Sequence, residues 1–326
     1  MKKIVLGVDV GGTSTKLGLV DREGNLLAES KFMSTEYEFI DGFIESFEKH
    51  VDQLVKSIGP DHEMIGIGIG APNANFYRGT IEYPPNLKWP GITPLASMVK
   101  RKFKLPTLLT NDANAAAYGE MIYGGAKGMK DFVVITLGTG LGSGIVSNGQ
   151  LVYGYAGNAG EVGHTLVNVH GRHCGCGKQG CLETYVSATG IRRTVYKLLA
   201  DYTVDSKMRE VSFEDLSAEM ITDAAHAGDE IAIAAFEYTA RILGMKLSDV
   251  VAHSGPEAIF LFGGLTHAKD LLFMPTAKHF NNNLMPIFKG KVKLMPSELN
   301  NKNAAILGSA AMIWKHYEDG DLSTLS

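Results

Sequence analysis

A pattern that occurs twice constrains this chain more than any single residue does. Residues 3–8 read as a strand, Gly11-Gly12 as a turn, 16–20 as a second strand, 21–25 as a tight turn and 26–31 as a third strand. From Asp131 the order returns: strand 131–137, glycine turn Gly138-Thr139-Gly140, strand 143–147, hairpin turn Asn148-Gly149, strand 150–153. Apolar runs bounded by Gly, Asn and Asp are strand and hairpin signals. Their repetition predicts an internal duplication of one supersecondary unit. Helices follow in each half. Phe39, Phe43, Phe47, Val51, Leu54 and Ile58 recur at three- or four-residue spacing, the apolar stripe of a helix. Further strands at 65–70, 107–110, 258–262 and 291–295 alternate with helices at 113–121, 230–251 and about 302–316, which makes both halves α/β. At 326 residues the chain exceeds one ordinary core, given roughly 150 residues per domain, so two domains are expected. Pro84-Pro85 and Trp89-Pro90-Gly91 mark an irregular loop, and 202–209 a variable one.

The glycine turns fit neither common nucleotide fingerprint. No Gly-x-x-x-x-Gly-Lys-[Ser/Thr] is present, and Gly138-x-Gly140-x-Gly142 leads into a strand where the dinucleotide motif needs a helix. Glycine-rich strand-turn-strand hairpins bind phosphate differently: without a Cβ the backbone approaches closely, and successive N–H groups form an anion nest. Asp9 to Lys16 forms one such hairpin, Leu137 to Gly142 a second, and Gly263-Gly264 a third turn. The first is expected to use Gly11, Gly12, Thr13 and Thr15, with Lys16 near the terminal phosphates; the second uses Gly138, Thr139 and Gly140. Asp9 suits Mg²⁺ held through water, since that ion keeps several waters and takes few carboxylates.

All three cysteines fall in one segment, Cys174-x-Cys176-x-x-x-x-Cys181, ten residues after His164. Three thiolates and an imidazole suit a tetrahedral zinc, and four protein ligands make the site structural. His170 and His173 are rival ligands, ranked below His164. An odd cysteine count in a long chain argues against a disulfide framework.

Asn111-Asp112 follow a strand and open a helix. That placement is commonly a cap, yet a carboxylate there also suits a general base, and the Asn amide can bind hydroxyls. Glu161 precedes His164 by three residues and Glu183 follows Cys181 by two, so the metal would fix two carboxylates and an imidazole as one rigid patch for gripping hydroxyls. Hydrophobic residues make up 45% and charged residues 20%, an ordinary globular balance. The net charge of -4, with only short basic clusters at 100–102 and 192–193, argues against a nucleic-acid surface. No apolar run reaches about 18 residues, so no membrane partner is expected. Asp9 interrupts the N-terminal apolar run before a signal sequence is complete, which predicts a cytoplasmic protein.

Together, residues 9–16, Asn111-Asp112, 137–142, 161–164, the segment 174–183 and Gly263-Gly264 resemble the ROK family (repressors, open reading frames and kinases), within the actin, hexokinase and heat-shock ATPase superfamily. The cysteine segment is the most specific of these matches, and 181–191 looks most like bacterial ROK glucokinases. The resemblance implies two ribonuclease-H-like domains around a central cleft. They comprise 1–115 plus 303–326, since the last helix returns to the first domain, and 116–302. It implies ATP, Mg²⁺ and a structural zinc, with Asp112 as base. Sugar contacts would come from Asn111, Glu161, His164 and Glu183, with Asn86 a weaker candidate. A homodimer or a dimer of dimers is the implied assembly. Asn73 departs from the pattern, standing where those glucokinases commonly have glycine. The expected reaction is phosphorylation of a hexose at its 6-hydroxyl, glucose first, with N-acetylmannosamine, N-acetylglucosamine and fructose as alternatives. A sugar-responsive repressor would carry a helix-turn-helix before the first hairpin, and here that hairpin begins at Asp9. A non-catalytic sugar sensor would have a degraded Asp112 or phosphate turn, and neither is degraded.

Overall fold

The structure, a computed structural model, describes residues 1–84, 86–299 and 303–325. Pro85 of the expected irregular loop, and the Lys302 start expected for the last helix, lie outside the described residues. The chain divides into two compact units, Met1–Met129 with Leu151–Ala159 and Glu298–Ser326, and Lys130–Gln150 with Gly160–Ser297.

The first unit opens with β1 (Lys2–Val10), β2 (Ser14–Val20) and β3 (Leu26–Met33), then α1 (Ile40–Ile58) and β4 (His62–Gly70). Three short strands follow, β5 (Ala74–Asn75), β6 (Thr80–Glu82) and β7 (Ile92–Thr93), then α2 (Leu95–Phe103), β8 (Thr107–Thr110) and α3 (Asp112–Ile122). The second unit contains β9 (Phe132–Leu137), β10 (Leu141–Ser147), the first residue of β11 (Gln150–Leu151), α4 (Ala188–Asp201), α5 (Ala218–His226), α6 (Glu230–Ser254), β12 (Ala258–Phe262), α7 (Asp270–Asn283) and β13 (Lys293–Pro296). The chain then returns to the first unit as α8 (Ala304–Asp319) and α9 (Leu322–Leu325).

The two five-stranded sheets have the orders β3-β2-β1-β4-β8 and β11-β10-β9-β12-β13. Counting only the strands of each sheet, both read third, second, first, fourth, fifth. The hairpin strands β1, β2 and β9, β10 pair antiparallel, and the later strands join in parallel. The predicted duplication is thus a duplication of sheet topology. Asn148 and Gly149 both take positive φ, 51° and 74°, as a tight Asn-Gly hairpin turn requires.

Burial explains the strand sequences. Val5, Leu6 and Val8 of β1 are all fully buried, the mark of a strand covered on both faces. Phe43, Phe47, Val51 and Leu54 of α1 pack into the same core. Phe39, expected to begin that stripe, is 77% exposed because it precedes the first helical turn. Against this sheet lies α8, in close contact with β1 and β4. A Cβ at Gly68 would overlap the Ser309 carbonyl, so glycine is what lets the helix seat there. Ser309 Oγ completes the seat by donating to Val8 O at 2.8 Å. In the second unit β9 and β12 share a core with α4, α6 and α7.

The irregular loop expected from Pro84-Pro85 and Trp89-Pro90-Gly91 connects β6 to β7 of a small three-stranded sheet, β5-β6-β7, that the sequence did not signal. Its strands of two or three residues are too short to show a period. Trp89 within the loop is buried, edge-on to Phe43 at 4.6 Å. The strand expected at 150–153 stops at Leu151, and Tyr153 instead stacks on Phe76 at 4.0 Å and 13° within the first unit. The expected cut at 115/116 would divide α3, but α3 packs along α8 and the first unit runs to Met129.

Candidate active site

Asp9 is the penultimate residue of β1 and is paired with Lys16 across the β1–β2 ladder. The turn between them is held by Gly11 N–H donating to Ser14 O at 3.1 Å. Gly12 lies against Asn86: a Cβ would come within 2.6 Å of the Asn86 Cβ. Thr13 and Lys16 are exposed. Thr15 is not. It is fully buried and shares a 2.9 Å hydrogen bond with Ser34 Oγ, which turns it away from any ligand. Burial raises the Asp9 carboxyl to about 6, against the pull of Lys16, and the charge of Asp112 adds to the rise.

Asn111 caps α3, its Oδ1 accepting from Asn114 N–H at 2.7 Å, so the cap reading of this pair holds at Asn111. Asp112 then sits in the first turn, its Oδ1 accepting from Ala113 N–H at 3.0 Å. Burial drives its carboxyl above the usual carboxylate range, opposed by the Ala113 N–H. Two carboxylates of the first unit are therefore close enough to feel each other and are both poor anions in their surroundings. That arrangement favours a bound cation or a proton acceptor. Asn73, the departure from glycine, has φ of 51°, a left-handed conformation that Asn tolerates better than most residues, and its Nδ2 donates to Tyr83 O at 3.1 Å.

In the second unit the Gly138–Gly140 turn closes with Gly138 N–H on Gly140 O at 3.0 Å, and Thr139 is exposed at its tip. Gly263, with φ of 106°, packs against Leu137, where a Cβ would meet the carbonyl at 2.7 Å. The third glycine turn thus borders the second hairpin.

His164, Cys174, Cys176 and Cys181 converge, with one ligand atom of each lying within 4.8 Å of the others. His164 Nδ1 is 3.6 Å from Cys174 Sγ, and Cys176 Sγ is 3.7 Å from Cys181 Sγ. Zn–S bonds of about 2.3 Å at tetrahedral angles place two sulfurs about 3.8 Å apart, so this cluster fits zinc. His170 and His173 are not part of it. Burial pushes the Cys174 thiol up to about 12 and raises Cys181 as well. At Cys176 burial is outweighed by the Lys178 N–H and the neighbouring thiols, and the pKa falls. A bound dication overrides such shifts, since a coordinating thiol is deprotonated outright.

The loop around these ligands is braced by residues the sequence reading passed over. Arg172 Nη1 donates to Thr184 O at 2.8 Å and Gly190 O at 3.0 Å, and the guanidinium lies 4.6 Å from the Tyr185 ring centroid. Its partners are backbone carbonyls 12 and 18 residues on, which no periodicity reveals. Glu161 stands 3.8 Å from His164 Nε2, on the imidazole edge opposite the cysteines. Glu183, two residues past Cys181, places Oε1 3.6 Å from Cys174 Sγ and Oε2 3.0 Å from Leu141 N.

The ROK family model matches residues 5–316. The chain belongs to the ROK family. Its two-sheet architecture is the ROK sugar-kinase fold, a two-domain fold of the actin and hexokinase type. It is 33% identical over 315 residues to a glucokinase of Halalkalibacterium halodurans, covering 94% of each chain. The crystal structure of a ROK family glucokinase from Streptomyces griseus in complex with glucose and AMPPNP matches with a TM-score of 0.78 and 31% identity, over 95% of this chain and 98% of that one. A xylose repressor of Bacillus spizizenii is 28% identical over 317 residues, 96% of this chain and 78% of the repressor. This ROK chain has no helix, among the described residues, long and apolar enough to cross a membrane.

Proposed function

We propose that the chain transfers the γ-phosphoryl group of ATP to the 6-hydroxyl of a hexose, with glucose the preferred acceptor. The observation that carries this reading is Asp112. It is a carboxylate in the first turn of α3, aligned by the Asn111 cap, and burial strengthens it as a proton acceptor. Phosphoryl transfer asks little covalent chemistry of a protein; it asks for alignment, charge neutralisation and a base for the hydroxyl proton.

In this reading Asp112 accepts the proton of the 6-hydroxyl, and Asn111, Glu161, His164 and Glu183 hydrogen-bond other hydroxyls. Asn86, packed on the Gly12 turn, is a lesser contact. The glycine turns at Gly11-Gly12, Gly138–Gly140 and Gly263-Gly264 receive the nucleotide, with the Thr13 and Thr139 hydroxyls at the tips of the first two and Lys16 neutralising the terminal phosphates. Asp9 holds Mg²⁺ through water, and the ion supplies the remaining charge neutralisation. Zinc on His164, Cys174, Cys176 and Cys181 is structural, since four protein ligands leave no open position. The protein acts in the cytoplasm as a homodimer or a dimer of dimers.

Glucose ranks first because relatives named glucokinase align over nearly the full chain. The similarity to xylose repressors favours a second reading, a sugar-responsive regulator that binds its sugar without turning it over. One experiment separates them. Glucose, fructose, xylose, N-acetylglucosamine and N-acetylmannosamine are each offered with ATP and Mg²⁺, and ADP release is followed alongside sugar binding by calorimetry. Glucose-dependent ADP release is expected. Binding of any of these sugars with no ADP release from the whole panel would sink the kinase and favour the regulator.

A further inference from the structure

Glu183 has a contact that gripping a sugar does not require. Its Oε2 accepts the Leu141 N–H at 3.0 Å, and Leu141 is the first residue after the Gly138–Gly140 turn. Gly140 runs so close beneath the carboxylate that a Cβ there would overlap it. At the other end of the turn, Gly138 O accepts the Ala188 N–H at 2.9 Å. Ser187, between the two anchors, donates to Glu183 O at 2.8 Å and caps α4 by accepting from Gly190 N–H at 2.9 Å. Both ends of the glycine turn therefore hang from one segment, 183–188. That segment begins two residues beyond Cys181, the last member of the cysteine cluster.

We infer that Glu183 is a positioning residue for the second phosphate turn, setting its shape for the nucleotide whether or not a sugar is bound. The inference rests on the reading that Gly138–Gly140 receives the nucleotide. Within the turn the Gly138 N–H is spent on Gly140 O and the Leu141 N–H on Glu183. The amides of Thr139 and Gly140 are left to face an anion, and a nest works only while its N–H groups point the same way. Holding Leu141 fixes the plane of the Gly140–Leu141 peptide, and with it the direction of that nest. The same carboxylate is in the sugar patch, so a hydroxyl that draws on Glu183 is felt at the nucleotide turn. Coupling of this kind is reciprocal.

Two substitutions separate reach from charge. Glu183→Gln loses the charge but keeps an oxygen at the same distance; Glu183→Asp keeps the charge but falls one methylene short of Leu141 N. AMPPNP affinity is measured by calorimetry without sugar, with zinc content and circular dichroism confirming that each variant is folded and metal-loaded. Glu183→Asp is expected to weaken AMPPNP about 10-fold, the size of loss expected for one hydrogen bond, and Glu183→Gln by no more than about 3-fold. Gly140→Ala, which pushes the carboxylate aside, should weaken AMPPNP in the wild type and much less in the Glu183→Asp background, as coupled neighbours do. If both Glu183 variants bind AMPPNP like the wild type while Gly140→Ala does not, Glu183 has no positioning role and the inference falls alone. A Gly140→Ala protein with unchanged AMPPNP affinity overturns the nucleotide assignment of the turn, and the inference with it.

Discussion

Asp112 and Asp9 are two carboxylates of one unit that burial treats alike and that chemistry would use differently. Replacing Asp112 by Asn keeps the shape of the α3 terminus and removes the base. Turnover should fall by roughly 10²- to 10⁴-fold, the usual range for a lost general base, while calorimetry still detects glucose binding. Because burial raises the Asp112 carboxyl, the acid limb of the kcat/KM profile should lie above the ordinary carboxylate range. Asp9 bears on stability. Its carboxyl stands at about 6 in the fold and about 3.9 in an unfolded chain. Between those values the native state holds a proton that the unfolded state has released, so the stability it contributes is complete below about pH 4 and is lost as pH rises through about 6. In the absence of Mg²⁺, Asp9→Asn should therefore raise the urea midpoint at pH 7.5, by a stability gain on the order of 2 kcal/mol, and the gain should shrink toward pH 5. An equal gain at both pH values would show that Asp9 is not under this strain. At this scale residue types were readable and their partners were not. Thr15 sits in the first hairpin's sequence, but alternation on β2 turns it to Ser34. Glu183 was legible as a neighbour of a cysteine, not as an acceptor for an amide 42 residues earlier.

Elements long enough to show a period were the easiest to foresee. Thr107–Thr110 and Ala258–Phe262 fall where apolar runs end in polar or glycine turns, and α6 begins at Glu230 behind its Asp229 cap. The small β5-β6-β7 sheet escaped because strands of two or three residues carry no pattern, and Pro and Gly around Trp89 signal a loop even where the loop is packed. The cysteine loop was visible through ligand spacing alone. Cys176→Ser should abolish zinc retention, measured by elemental analysis, and glucose affinity should fall with it, since the loop carrying Glu161, His164 and Glu183 depends on the ion. Retained zinc at one ion per chain would rule out this ligand set. The α8 seat gives a sterner prediction. Gly68→Ala drives a methyl into the Ser309 carbonyl, and overpacking of this kind costs about 1–3 kcal/mol, readable as a lower urea midpoint.

On the scale of the molecule, the repeat in the sequence reappears as two sheets with one strand order, and this much was legible because both copies keep their turn residues. The boundaries were not, since they depend on which helix packs where: α3 stays with α8, and the strap Leu151–Ala159 belongs to the first unit although the strands before it belong to the second. Asn75 Nδ2 ties that strap by donating to Ala156 O at 2.8 Å, and Tyr153 OH donates to Tyr118 OH at 3.4 Å. Such long-range pairs leave no local trace. Ligands that bind only the folded state add RT ln(1 + [L]/Kd), about 2.7 kcal/mol at a hundred times Kd. Glucose and AMPPNP should each raise the melting temperature by a few degrees, and xylose at the same concentration should raise it less. A larger shift with xylose would reverse the substrate ranking.

The return of α8 to the first sheet has a consequence for how the protein is made. On a ribosome the strands β1 to β4 emerge before the second unit, but the helix that covers their glycine face follows that unit in the chain. The second unit, almost uninterrupted in the chain, can condense while the first still waits with one side of its sheet bare. The nascent first unit is then the aggregation-prone species, and a message truncated before Ala304 would yield a product that chaperones hold and proteases clear.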